Sequence, residues 1–161
     1  YAGTTCRFAA AEPYNGSTWY GPVLEVALSG FWQPRLPGLH AAKPVDLVGV
    51  SFAEARDATA AICDAGAEAV VILHSFSLFK VRDTQYCRGR PNQVVISRLR
   101  RYCAWLAARR QRHPVRTFAD LHALVAAGRF EAVAVEPVTL RRPLRAMTRK
   151  ALQAWNRFYH T

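Results

Sequence analysis

Val70–Phe79 reads VVILHSFSLF, and its interpretation decides the fold. Four apolar residues, Val70 to Leu73, run straight into His74 and Ser75. A short continuous apolar run of this kind predicts a strand, Val70–Phe76, buried on both faces. Its C-terminal end is the rim where α/β folds carry their chemistry. Upstream, Ser51–Ala67 reads as a helix: Ser51 and Glu54 form a capping-box pattern and Gly66 closes it. Downstream, a second helix is predicted over about Asn92–Arg112, with Asn92 as N-cap. Helix, buried strand, loop and helix make one turn of a wound α/β domain.

The rest of the chain is read outward from that unit. Tyr1–Pro22 reads mostly as loop, Val23–Trp32 as a strand, and proline-rich Gln33–Pro44 as an irregular connector. Val45–Val50 is an edge strand or a lead-in to the first helix. Lys80–Pro91 is a polar loop. The Asn92 helix has an apolar face of Val95, Leu99, Tyr102, Cys103 and Leu106, while Arg98, Arg101, Arg109 and Arg112 share another face around Trp105. Val115–Phe118 reads as a short strand. Thr117 and Asp120 cap a further helix that Gly128 ends. Two regions result: an α/β body over 1–136, and a basic amphipathic C-terminal helix within 137–161, with Pro143 in its first turn.

At 161 residues the chain is long enough for one domain with a sizeable core. Half its residues are hydrophobic, which argues against disorder. The net charge is +11, and nineteen arginines against three lysines carry it. Such a surface favours acidic partners; a GC-rich coding sequence, which favours arginine over lysine, is the plainer explanation. No C-x-x-C pattern occurs among Cys6, Cys63, Cys87 and Cys103. Cys63 and Cys103 fall in helices as small apolar residues, whereas Cys6 and Cys87 fall in loops and pair if the compartment is oxidising. No run of about eighteen apolar residues is present, so no transmembrane helix is predicted.

VVILHS, the following FSLF, the helix RLRRYCAWLA and the closing VRTFADL together resemble the C-terminal half of polysaccharide deacetylases of the NodB-homology type. VLEVALS at Val23–Ser29 is similar to an internal strand of that family, with Ala27 where proline is usual. The resemblance spans roughly Val23 to Leu124. It implies the second half of an irregular (β/α) barrel and metal-dependent deacetylation of an N-acetylated sugar or glycan. It implies that Leu73 and His74 match the family's Leu-His strand end, with His74 as general acid. The family's Thr-Phe-Asp-Asp-like strand and His-Ser/Thr-x-x-His-like turn have no counterpart here. No two of His40, His74, His113, His122 and His160 lie within five residues of each other. The resemblance therefore implies a divalent metal, zinc or similar, only in a full-length enzyme whose other half supplies the ligands, and none on this chain. It implies a glycan substrate, and a place in the cell envelope or in the membrane-associated cytoplasm.

Four residues are candidates for the site. His74 suits proton transfer because an imidazole titrates near neutrality; the alternative is a satisfied core histidine. Glu25 is the only charge in the apolar run VLEVAL, so it faces solvent, a base or the barrel mouth. Trp32, like Trp19, offers a flat face to a sugar ring or packs at the rim of the core. Ser75 is a candidate substrate contact. Two basic features widen the choice of function. Thr84–Ala119 holds nine arginines and no acid, yet no nucleic-acid-binding signature accompanies them, so nucleic acid is the less favoured partner. Within 141–159, Leu144, Met147, Leu152, Trp155 and Phe158 share one face, and Arg141, Arg142, Arg145, Arg149, Lys150 and Arg157 supply six cations. That composition suits an anionic membrane surface, or a helix docked on its own domain. The alternative function is thus a non-catalytic basic α/β interaction domain that binds an acidic polymer, a membrane surface or a protein.

Overall fold

The structure, a computed structural model, describes residues 14–33, 42–81, 89–140 and 147–151. β1 (Asn15–Tyr20) and β2 (Val23–Ala27) form an antiparallel hairpin, with Tyr20 opposite Val23 and Gly16 opposite Ala27. Gly21 turns the hairpin at φ +57°. The other edge of β1 pairs with β7 (Ala134–Val135). β3 (Gly30–Trp32) lies antiparallel to β4 (Ala42–Pro44) and parallel to β8 (Val138–Thr139). β5 (Phe79–Val81) and β6 (Gly89–Pro91) make a small antiparallel ladder.

The centre of the fold is a β-α-β unit. Val45–Leu47 runs parallel to Val70–Ile72: Ile72 N–H donates to the Val45 carbonyl at 3.0 Å, and Leu47 N–H donates to the Ile72 carbonyl at 3.0 Å. Between them runs α1 (Phe52–Asp64). Its start is fixed by the capping box: Glu54 N–H donates to Ser51 Oγ at 3.2 Å, and Ser51 N–H donates to Glu54 Oε2 at 2.8 Å. Its small residues Ala55 and Ala58 are fully buried and allow α2 (Gln93–Ala107) to approach closely. A hydrogen bond of 2.6 Å between the Thr59 and Tyr102 hydroxyls joins the two helices. Phe31, Val45, Leu47, Val50, Tyr102 and Trp105 complete the core. α3 (Phe118–Ala126) begins at a second capping box, Thr117 with Asp120, buries no side chain, and stops at Gly128 with φ +64°.

Both capping boxes and both glycine stops lie where the sequence predicts them. Other elements differ. Val70–Phe76 is not a strand buried on both faces: it makes one parallel bridge at Ile72, Val70–Leu73 are half-buried, and Ser75–Leu78 curl into a 3-10 turn. The segment read as loop before Pro22 contains β1, whose polar residues are buried because they are satisfied. Asn15 Nδ2 donates to the Gly30 carbonyl at 3.0 Å and its Oδ1 accepts from Gly30 N–H at 2.7 Å, as a backbone neighbour would. Val23–Trp32 is two strands in two sheets, divided at Leu28 and Ser29. The ends of the predicted loop Lys80–Pro91 pair as β5 and β6. Val115 is 71 % exposed and in no strand.

The fold is mixed α/β, and among the described residues its strands form two three-stranded sheets and one two-stranded ladder. Residues beyond Glu136 pack against the body through β8 and through Arg149. Of the predicted C-terminal helix, only residues 147–151 are described, and they are helical. Leu144, Leu152, Trp155 and Phe158 lie outside the described residues, as do Cys6 and Cys87. Cys63 is half-buried and Cys103 exposed, both as free thiols.

Candidate functional site

His74 follows the bridge-forming Ile72 by two residues and occupies the cap position before the 3-10 turn. Its carbonyl accepts from Ser77 N–H at 3.0 Å, which holds the turn closed. Its ring is exposed and stacks on Phe76, with centroids 5.0 Å apart and planes 8° from parallel. Ser75 is exposed beside it. Phe76 and Phe79 are each 58 % exposed, so this edge of the fold presents aromatic surface around the imidazole.

The other two candidates lie on other elements. Glu25 is half-buried on β2 opposite Thr18, and no hydrogen bond joins it to His74. Its neighbour is Tyr14: burial first, and then the Glu25 carboxylate, hold the Tyr14 phenol well above its ordinary pKa. Trp32 is half-buried on β3, between Ala42 and Thr139. Among the described residues, no three His, Cys, Asp or Glu side chains are grouped so as to hold a metal ion.

A second feature shares the edge at which the parallel segments end. α2 is tied to the turn after His74, because Asn92 N–H donates to the Leu78 carbonyl at 2.7 Å and Asn92 Nδ2 donates to the Ser77 carbonyl at 3.2 Å. α1 starts five residues after Leu47. Between the two helix starts is a cavity of about 570 Å³, lined by Ser51 and Phe52 from α1's end and by Gln93, Ser97, Arg98 and Arg101 from α2. Arg98 is only 7 % exposed. Its Nη1 donates to the Leu47 carbonyl and, at 2.9 Å, to the Val48 carbonyl, which locks α2 to the end of the parallel segment. Desolvation lowers its pKa and the charges of Glu54 and Asp46 oppose that shift. The guanidinium keeps its proton because its ordinary pKa is so high.

Two arginines thus stand where the sequence reading did not put them. Arg98 and Trp105, assigned to a solvated basic face, are buried with Val95 and Tyr102. The signal is in the spacing, since Arg98 follows Val95 by three and precedes Tyr102 by four. A long guanidinium can enter such a stripe when its head finds carbonyl acceptors. Arg149, assigned to the cationic face of the C-terminal helix, is 2 % exposed. Its Nη2 donates to Gln33 Oε1, and its Nε stands 3.6 Å from Glu54 Oε1. No family model, curated protein or solved structure matches the chain.

Proposed function

We propose that the chain is the distal half of a metal-dependent deacetylase acting on an N-acetylated sugar or glycan. His74 is its general acid, protonating the departing amine. One observation carries the reading: His74 directly follows the parallel segment of a β-α-β unit, at the edge where such folds collect reactive groups. Its exposure leaves the ring open to a substrate, and Phe76 fixes the ring plane. Ser75 and the exposed ring of Phe79 offer contacts to the sugar. Glu25 enters on the family resemblance alone, and Trp32 on the flat face it offers to a sugar ring. The metal and the base belong, in this reading, to residues outside this chain. The test is acetate release from N-acetylglucosamine oligomers by a polypeptide that joins this segment to its metal-binding half. His74→Ala lowers kcat by roughly 10²- to 10⁴-fold with little change in stability, because the ring is exposed. An unchanged kcat removes the assignment.

A second reading, a basic domain that binds an acidic polymer, membrane surface or protein, is favoured by the outer face of α2 and its extension. There Arg100, Arg109, Arg110 and Arg112 are all exposed. Among the described residues, only Arg112 of these four is joined to a carboxylate, with Nη2 at 2.9 Å from Asp64 Oδ1. Such a surface attracts anions over a range that salt shortens. Steep salt dependence of binding to a polyanion such as heparin supports this reading, and salt-independent binding removes it.

A further inference from the structure

We propose that the cavity between the starts of α1 and α2 binds the phosphoryl group of a small soluble phosphate monoester. The site stands apart from the deacetylase reading and rests on three observations. First, Arg98 is buried yet incompletely committed. Its Nη1 serves two carbonyls, while its Nε and Nη2 make no hydrogen bond among the described residues, and the residue lines the cavity. The acids whose charges reach it are engaged elsewhere. Glu54 Oε2 accepts from Ser51 and its Oε1 faces Arg149, while Asp46 Oδ1 accepts from Val48 N–H at 2.9 Å. Second, Arg101, one turn further along α2, is held with its guanidinium 4.5 Å from the centre of the Phe52 ring. A guanidinium stacked on a ring is preorganised and keeps its N–H edge for an oxyanion.

Third, the first turn of α2 is open to a ligand. The Asn92 side chain does not cap it, since Asn92 Nδ2 is turned to the Ser77 carbonyl, and the first turn contains no acid. Among the described residues the N–H groups of Gln93 and Val94 have no acceptor, and both residues line the cavity. Unpaired N–H groups at a helix start, the positive end of its dipole and two arginines complement a dianion with several acceptor oxygens. The Ser97 hydroxyl adds a donor. The volume of about 570 Å³ exceeds what one phosphoryl group fills, so the remainder accommodates the group that carries it.

The test is titration of the ¹⁵N-labelled chain with inorganic phosphate and with glucose 6-phosphate, with unphosphorylated glucose and sodium chloride at matched ionic strength as controls. Saturable amide shifts at Gln93, Val94 and Ser97 with both phosphates, absent with glucose and chloride, support the site. Arg101→Ala weakens both at least tenfold, whereas Arg129→Ala, an exposed arginine outside the cavity, changes neither. Arg101 is itself exposed, so its removal leaves the fold intact, and an unchanged amide spectrum in the absence of phosphate verifies that. Shifts spread over the arginine-rich surface, an equal response to chloride, or equal loss in the two variants overturns the proposal. Binding to phosphatidic-acid vesicles without binding to glucose 6-phosphate also overturns it.

Discussion

Arg149 Nε stands 3.6 Å from Glu54 Oε1, with the two side chains 2 % and 4 % exposed. The pair anchors the basic C-terminal segment to the N-terminal turn of α1, where Glu54 already closes the capping box. One of the six cations assigned to a lipid-facing surface is therefore an internal counter-ion. Removing one member of a buried pair leaves an uncompensated charge, which costs about 3–5 kcal/mol. Arg149→Met destabilises the chain by that order in urea unfolding. Adding Glu54→Gln recovers part of the loss, because the unpaired carboxylate is then gone, while Arg98 keeps Asp46 as its counter-charge. A double variant no more stable than Arg149→Met means that the pair is not coupled.

Gly16 separates two kinds of glycine. Its φ is +89°, and a Cβ there meets the Val133 carbonyl oxygen at 2.1 Å and the Ala67 Cβ at 2.8 Å. Gly21 has φ +57° with nothing within 4 Å. Gly16→Ala must displace the β1–β7 edge as well as strain the backbone, and it destabilises by roughly 3 kcal/mol or more. Gly21→Ala bears only the conformational cost, about 1 kcal/mol. Equal unfolding midpoints for the two variants would contradict this ordering.

These particulars show which parts of the fold the sequence declares. Ser51/Glu54 and Thr117/Asp120 are local patterns with local partners, so both helix starts are legible in the chain. β1 is not, because Asn15 and Ser17 read as polar loop residues. They become buried strand residues only through partners far along the chain, Gly30 for Asn15 and Glu68, at 2.9 Å, for Ser17. That His74 and Ser75 follow an apolar parallel segment is legible in the chain, but the cavity is not. Arg98 and Arg101 look like two more members of a basic stripe until the Leu47 and Val48 carbonyls and the Phe52 ring are brought against them.

Tyr102 sets an alkaline limit on stability. It is 5 % exposed, and burial pushes its phenol up to about 12 from an ordinary 10. The folded state therefore holds the proton more tightly than the unfolded state. The associated stability, on the order of 2–3 kcal/mol, is fully present below pH 10 and is lost as pH rises toward 12. Tyr102→Phe flattens that alkaline loss. It also leaves the Thr59 hydroxyl without its partner, at a cost of about 1 kcal/mol at neutral pH. Unfolding free energy measured against pH for both chains provides the check, and parallel curves would contradict it.

Asp120 sets an acid limit on a single element. Its carboxylate accepts from Thr117 N–H at 2.7 Å and from Thr117 Oγ at 2.8 Å, and these bonds hold its pKa below the ordinary 3.8. A depressed folded-state value means that the contribution is complete above pH 3.8 and disappears as pH falls through the folded value. α3 buries no side chain, so little packing replaces a lost cap. Lowering the pH through the folded-state value of Asp120 speeds amide hydrogen exchange at the start of α3, relative to the intrinsic rate. Asp120→Ala gives the same faster exchange at neutral pH. Exchange at the start of α3 that does not respond to acidification or to Asp120→Ala would mean that α3 is held by packing rather than by its cap.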